Sequence, residues 1–396
     1  MLLRGGDVLD VATRTFSRQD LLVARGRVAA RGRVAARGTI RSGDLPRDVT
    51  VLDVTGQLVT PGLVDAQVNG AAGADLTREP ERLGEVARAM LRHGVTSFLP
   101  TVITAPPGTV ERALDAVHAL DVLDRQTPPL ALGPHARAVG VHAEGPFLAP
   151  ARRGAHPRQH LRLPDTEQVS GWSADVGVVA VTLAPELPCA LDVVREFVAR
   201  GVSVWVGHTE ASYEQTVAAV DAGARAVTHL FNAMPRLDHR SPGPVGAALG
   251  DGRLVAGVIV DGVHVHPAAV RTAWRALGPE RFMLVSDTTA ALGLPPGRTV
   301  LGDHEVVLHG VEVRLADDPG TLAGSGVALD HCVRTLVAVT GCPPAEAFVA
   351  ATRTPADLLG RPDLGRLDVG AVADVAVWDA DLALRALVLA GHPVDS

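Results

Sequence analysis

No lysine occurs anywhere in the 396 residues, so all 37 basic side chains are arginine. Genome composition accounts for the bias, but its chemical consequence stands: a binuclear metal site bridged by a carboxylated lysine is excluded. Aromatic residues make up only 3% of a chain that is 47% hydrophobic. Val, Leu and Ala therefore have to fill the core. The three cysteines, Cys189, Cys332 and Cys342, are odd in number and not at metal-ligand spacing. They read as reduced, incidental thiols of a cytoplasmic protein. Every apolar run is broken by charge, Gly or Pro well before the roughly 18 residues of a membrane span. The opening MLLRGGDVLDVATRTF alternates apolar and polar residues and lacks the continuous apolar segment of a signal peptide. No membrane partner is expected. The formal net charge of -7 is spread rather than blocked, which argues against a nucleic-acid partner.

What is present is a regular alternation between Pro61 and about residue 365. Eight short β-rich runs start at Gly62, Val95, Arg137, Val176, Val202, Ala224, Val255 and Phe282. Amphipathic helical stretches fall between many of them, such as Glu81 to Gly94 and Cys189 to Gly201, each closed by a capping glycine. Near-continuous apolar strands separated by helices indicate a parallel sheet buried on both faces, and eight of them suggest a (β/α)₈ barrel over residues 61–365. A doubly wound open sheet is the alternative, but no Gly-rich phosphate loop opens any of the helices. Residues 1–60 and 366–396 read instead as short strands and turns, which can pair into one small β-sandwich domain. RGRVAA occurs twice in tandem, at Arg25–Ala30 and Arg31–Ala36, and reads as a local duplication extending a hairpin.

In such a barrel the chemistry sits at the C-terminal ends of the strands. The polar residues punctuating those ends are Gln67, Glu144, His208, His229, His264 and Asp287. One carboxylate and two imidazoles, Glu144, His208 and His229, could bind Zn²⁺ or a similar cation and leave a position open for water. Taken singly, each histidine is better explained by a structural hydrogen bond; it is the constellation that points to a metal. Asp287 stands where a general base is needed. His93, His118 and His331 fall in expected helices away from strand ends and receive no role.

The strings HAEGPF (His142–Phe147), GHTEA (Gly207–Ala211), THLFNAMP (Thr228–Pro235), DGVHV (Asp261–Val265), SDTTA (Ser286–Ala290) and LAGS (Leu322–Ser325) resemble the N-acetylglucosamine-6-phosphate deacetylases of the amidohydrolase superfamily. Order and spacing agree over nearly the whole chain. The resemblance implies hydrolysis of the acetamide to glucosamine-6-phosphate and acetate. It implies that Glu144, His208 and His229 hold one divalent metal, that Asp287 activates the attacking water and protonates the amine, and that His156 helps polarise the carbonyl. It further assigns Asn232, Ala233, His264 and Arg240 to the phosphate, with Arg240 able to come from the neighbouring subunit of a homodimer. Arg152 and Arg153 read as a solvated loop face.

One segment departs from the wider superfamily, where a His-x-His pair on the first strand supports a second metal. Gln67 and Asn69 replace those imidazoles, so a single metal is expected, with Gln67 contacting its water shell. Zn²⁺, Fe²⁺ and Mn²⁺ all suit the donor set. Two other readings remain: a deacetylase of a related substrate, such as N-acetylgalactosamine-6-phosphate or an N-acyl amino acid, and a catalytically silent barrel scaffold. The first differs in substrate only; the second is opposed by the complete set of proposed ligands and base.

Overall fold

The computed structural model describes residues 1–24, 33–38, 50–126 and 133–394. Each of the eight apolar runs forms a strand: β1 (Leu63–Val68), β2 (Val95–Ile103), β3 (Val141–Glu144), β4 (Val178–Leu183), β5 (Ser203–Val206), β6 (Ala226–Val227), β7 (Val255–Ile259) and β8 (Phe282–Val285). Every neighbouring pair from β1 to β8 is parallel. A parallel bridge between Val68 and Thr288 joins the two ends of the series and makes the sheet a barrel. The interior explains how a chain so poor in aromatics is filled. Trp205 occupies the middle, and Ala66, Ala180 and Ala226 supply the small partners that make room for it beside Leu99 and Met283.

Helices such as Leu83–Leu91, Ala190–Ala199 and Pro267–Arg281 cover the outside. The capping role expected of Gly94 is met: its φ is +74°, in the left-handed region. A Cβ there would also lie 2.6 Å from the ring of Trp378, so the same glycine lets the terminal sheet pack against the barrel.

Two connections break the strand–helix alternation expected from the sequence. Between β3 and β4 the chain runs through short 3₁₀ turns, at Pro150–Arg152, Arg158–His160 and Ala174–Val176, without an α-helix. After β8 an antiparallel sheet intervenes, formed by Gly297–Leu301, His304–His309, Glu312–Leu315 and Leu322–Ser325, before the helix Leu329–Thr340 resumes the pattern. Its own small core of Leu301, Val306, Leu308, Val313 and Leu315 explains why those strands alternate in polarity. Its first turn is tied down at the barrel mouth. The Gly302 N–H donates to the buried Asp75 carboxylate (3.1 Å), and Asp303 pairs with His160 (2.9 Å) on the opposite lip.

Both chain ends meet in one sheet, as expected. Val375–Trp378 pairs antiparallel with Leu58–Pro61, and Leu2–Asp10 joins the other side of that strand. The first RGRVAA copy and the start of the second lie outside the described residues; Arg33–Gly38 is a strand paired antiparallel with Thr15–Ala24. Among the described residues, no helix is long and apolar enough to cross a membrane.

Candidate active site

The C-terminal mouth of the barrel opens into a cavity of about 740 Å³. Glu144, His156, His208, His229, Asn232, Ala233, His264 and Asp287 all line it. At its floor Glu144 ends β3, and its Oε1 lies 3.2 Å from Nε2 of His208 and 3.2 Å from Nε2 of His229. The two Nε2 atoms are themselves only 3.0 Å apart. Burial alone would raise the Glu144 pKa, but the two imidazoles hold it well below the usual carboxylate range.

The tautomers can be read from the outer hydrogen bonds. Nδ1 of His208 donates to the Arg152 carbonyl (2.8 Å), which leaves the Nε2 lone pair facing Glu144 and His229. His156 is arranged the other way. Its Nδ1 accepts the backbone N–H of Thr104 (3.1 Å), so the proton sits on Nε2, 3.7 Å from Glu144 Oε2. Burial, reinforced by the neighbouring His208, pushes the His156 pKa well below the ordinary imidazole value and keeps it neutral. Glu144, His156 and His208 do cluster closely enough to be read as a metal triad. A protonated Nε2 on His156 is a donor and argues against it as a ligand; His229, whose Nδ1 is buried without a partner among the described residues, reaches the same Glu144 oxygen through Nε2.

Gln67 and Asn69 project from β1 and the residue just beyond it. Gln67 Nε2 donates to Glu144 Oε1 (3.3 Å). Asn69 Nδ2 donates to Asp287 Oδ1 (2.7 Å). Their carbonyl oxygens are buried without a protein partner among the described residues. Burial, together with the nearby Glu144 charge, raises the Asp287 pKa to about 6.

The backbone at this floor is unusual. His208, His229 and Asp287 all have positive φ (47°, 30° and 50°), as do Phe231 and Ala233 in the following loop. Such left-handed positions cost about 1–3 kcal/mol each for a non-glycine residue and concentrate at functional sites. Below the site His142 is a buried structural histidine. Its Nε2 meets the Thr182 hydroxyl at 2.8 Å, and burial depresses its pKa to about 4.

Several residues do not follow the sequence reading. Arg152 and Arg153, read there as a solvated face, are half-buried and line the cavity. Arg314, Thr321, Leu322 and Gly324 line it from the antiparallel insert, which carried no signal beyond the LAGS string. Arg240 lies on an exposed loop and does not line the cavity of its own chain. Thr104 and Asp261, neither of which was singled out, hold His156 and His264 respectively. His331, given no role, reaches the Asp261 carbonyl with its Nε2 (3.2 Å).

The amidohydrolase family model matches residues 58–394. The chain is 39% identical over 408 aligned residues to the human N-acetylglucosamine-6-phosphate deacetylase, covering 99% of this chain and 93% of that one. It is 38% identical to an Escherichia coli O157:H7 N-acetylgalactosamine-6-phosphate deacetylase, covering 88% and 90%. The fold is similar to the Mycobacterium smegmatis N-acetyl-D-glucosamine-6-phosphate deacetylase, solved as a point mutant with N-acetyl-D-glucosamine-6-phosphate. That match has a TM-score of 0.87 and 35% identity and covers 100% and 99% of the two chains. The chain belongs to the amidohydrolase family and, within it, to the N-acetylglucosamine-6-phosphate deacetylases.

Proposed function

We propose that this protein hydrolyses the acetamide of N-acetylglucosamine-6-phosphate, using Glu144, His208 and His229 to hold one divalent cation. The observation that carries the reading is the convergence of those three side chains within 3.2 Å of one another, with His156 and Asp287 in the same cavity. Two imidazole lone pairs and a carboxylate packed this closely repel one another unless a proton or a cation lies between them. The donor set suits Zn²⁺, with Fe²⁺ or Mn²⁺ as fitting substitutes. When bound, the cation supplies Lewis acidity that polarises the amide carbonyl and lowers the pKa of water. A single ion is expected, because at the first strand Gln67 and Asn69 offer a second ion only neutral amide oxygens, which are weak ligands.

The remaining steps fall to the protein. Asp287, ionised, takes the proton from the attacking water and returns it to the nitrogen as the C–N bond breaks. His156 donates from Nε2 to the carbonyl oxygen as negative charge builds there; Thr104 keeps that proton in place. Asn232, Ala233 and His264 bind the phosphate from the other side of the cavity. Arg240 completes that site from the neighbouring subunit of a homodimer, in keeping with its exposed position. The three unpaired cysteines accord with a cytoplasmic location.

The test is amine release by metal-supplied protein from N-acetylglucosamine-6-phosphate, its galactosamine epimer and unphosphorylated N-acetylglucosamine. A strong preference for the glucosamine phosphate is expected. Preference for the epimer would reassign the sugar, and equal activity with and without phosphate would remove the phosphate site. No activity in protein that has bound its metal would overturn the reading.

A further inference from the structure

His264 sits at the cavity wall with its side chain almost fully buried, and its ring is fixed by one neighbour. Asp261 Oδ2 accepts from Nδ1 of His264 at 2.7 Å, while Oδ1 accepts the backbone N–H groups of Val263 (2.8 Å) and His264 (2.9 Å). The Asp261 carbonyl is anchored in turn by Nε2 of His331 (3.2 Å). Asp261 is itself 3% exposed and is not among the residues lining the cavity. Its carboxylate therefore faces the histidine and its own turn rather than any substrate.

The consequence follows from imidazole chemistry. With Nδ1–H committed to Asp261, a neutral His264 would turn a lone pair toward the cavity through Nε2. A lone pair repels a phosphate oxygen. To bind an anion in this orientation the ring must carry its second proton, and the Asp261 carboxylate balances that charge. We infer that Asp261 is a positioning residue that makes His264 an imidazolium donor for the substrate's phosphate, and so sets the preference for phosphorylated over neutral amino sugars. The inference rests on the phosphate reading proposed above and adds to it the residue that charges the site.

Asp261→Asn separates this role from a purely structural one. Asn retains an oxygen for the two backbone N–H groups, so the turn persists. Its amide N–H would face Nδ1 and drive His264 to the neutral Nε2–H tautomer, which keeps a donor but loses the charge. In full-length, metal-loaded enzyme, KM for N-acetylglucosamine-6-phosphate should rise roughly tenfold or more, in line with losing a hydrogen bond to a charged group. Turnover at saturation should stay near wild type, and kcat/KM for N-acetylglucosamine should be unchanged. In a His264→Ala background the Asp261→Asn change should add nothing to KM.

Equal loss on both substrates, or a full additional loss in the His264→Ala background, would make Asp261 a general brace and overturn the inference. If wild type itself does not prefer the phosphate ester, the phosphate reading fails first. A clear wild-type preference with unchanged KM in Asp261→Asn removes only the positioning role. Should the variant not fold, ¹⁵N NMR of the wild-type ring decides. Both ring nitrogens should be protonated when inorganic phosphate is bound, and an unprotonated Nε2 in that complex would overturn the inference.

Discussion

The Asn69 carboxamide donates to Oδ1 of Asp287 at 2.7 Å, joining the residue just after β1 to the second residue after β8 where the barrel closes. It occupies one oxygen of the proposed base and leaves the other for proton transfer. Burial and the Glu144 charge lift the Asp287 pKa to about 6, while the Asn69 bond pulls it down. Because the base works ionised, kcat/KM should fall as pH drops through this value, and a bound cation moves that limb lower still. Asn69→Ala removes a lowering influence, so its acid limb should shift to higher pH. A pH–rate profile of the two proteins checks this, and a limb that stays fixed or moves down would mean Asn69 does not tune the base.

Asp287→Asn should leave metal content intact and reduce kcat by roughly two to four orders of magnitude, the range for lost acid–base catalysis. Metal analysis beside steady-state kinetics makes the comparison. Near-normal turnover in that variant would move the base elsewhere.

The metal reading predicts one equivalent per chain, removed by a chelator with loss of activity and restored by Zn²⁺. Glu144→Gln should bind the ion poorly. His156→Asn should keep it while lowering kcat by about 10²–10³, as for other removed oxyanion donors. Metal titration followed by differential scanning fluorimetry reads both. Loss of metal in His156→Asn would rewrite the ligand set in favour of the Glu144–His156–His208 grouping, and two tightly bound equivalents would overturn the single-ion reading.

Much of this site was legible because parallel strands buried on both faces appear as unbroken apolar runs. A Glu, His or Asp at the end of such a run stands out, as Glu144, His208, His229 and Asp287 do. The barrel order followed from the same signal. Thr104 did not stand out, since it meets His156 through its backbone N–H (3.1 Å) and hydroxyl (3.0 Å), and one uncharged threonine just past a strand carries no signal in the sequence. Nor did the left-handed backbone at His208, His229 and Asp287, because positive φ is uncommon for any non-glycine residue even though His and Asp are enriched there. Arg152 and Arg153 read as a solvated face because two adjacent arginines in a loop usually face solvent. Here the Arg152 carbonyl is bonded to His208, which draws the loop over the cavity. The antiparallel insert is not legible in this way, because its short strands alternate in polarity after a Gly- and Pro-rich stretch and carry no unbroken apolar run.

Within that insert, Gly324 marks a close approach to the base. Its φ is +66°, and a Cβ there would lie 2.7 Å from the Asp287 carbonyl oxygen and 2.6 Å from Cγ2 of Thr289. Ser325 next to it donates its N–H to that same carbonyl (2.8 Å). Gly324→Ala should therefore displace the Asp287 backbone. Stability should drop by about 1–3 kcal/mol from the forced conformation, with kcat falling more than KM rises. Thermal unfolding and steady-state kinetics test the pair of effects. Wild-type kcat in the alanine variant would show that Asp287 is not held from this side.

The proposed trans role of Arg240 can be separated from a cis role by mixing two differently impaired proteins. Arg240→Ala alone should mainly raise KM for the phosphorylated substrate. Asp287→Asn should be nearly silent. In a heterodimer of the two, the site built on the Arg240→Ala chain keeps its own Asp287 and receives an intact Arg240 from its partner. That site should work with wild-type KM, while the other carries both lesions. Subunit exchange between the variants should thus generate a low-KM activity that neither parent has, approaching half of wild type per heterodimer. If Arg240 serves its own cavity, no heterodimer site is intact and mixing restores nothing. The exposed position of Arg240, away from the cavity of its own chain, favours the first outcome.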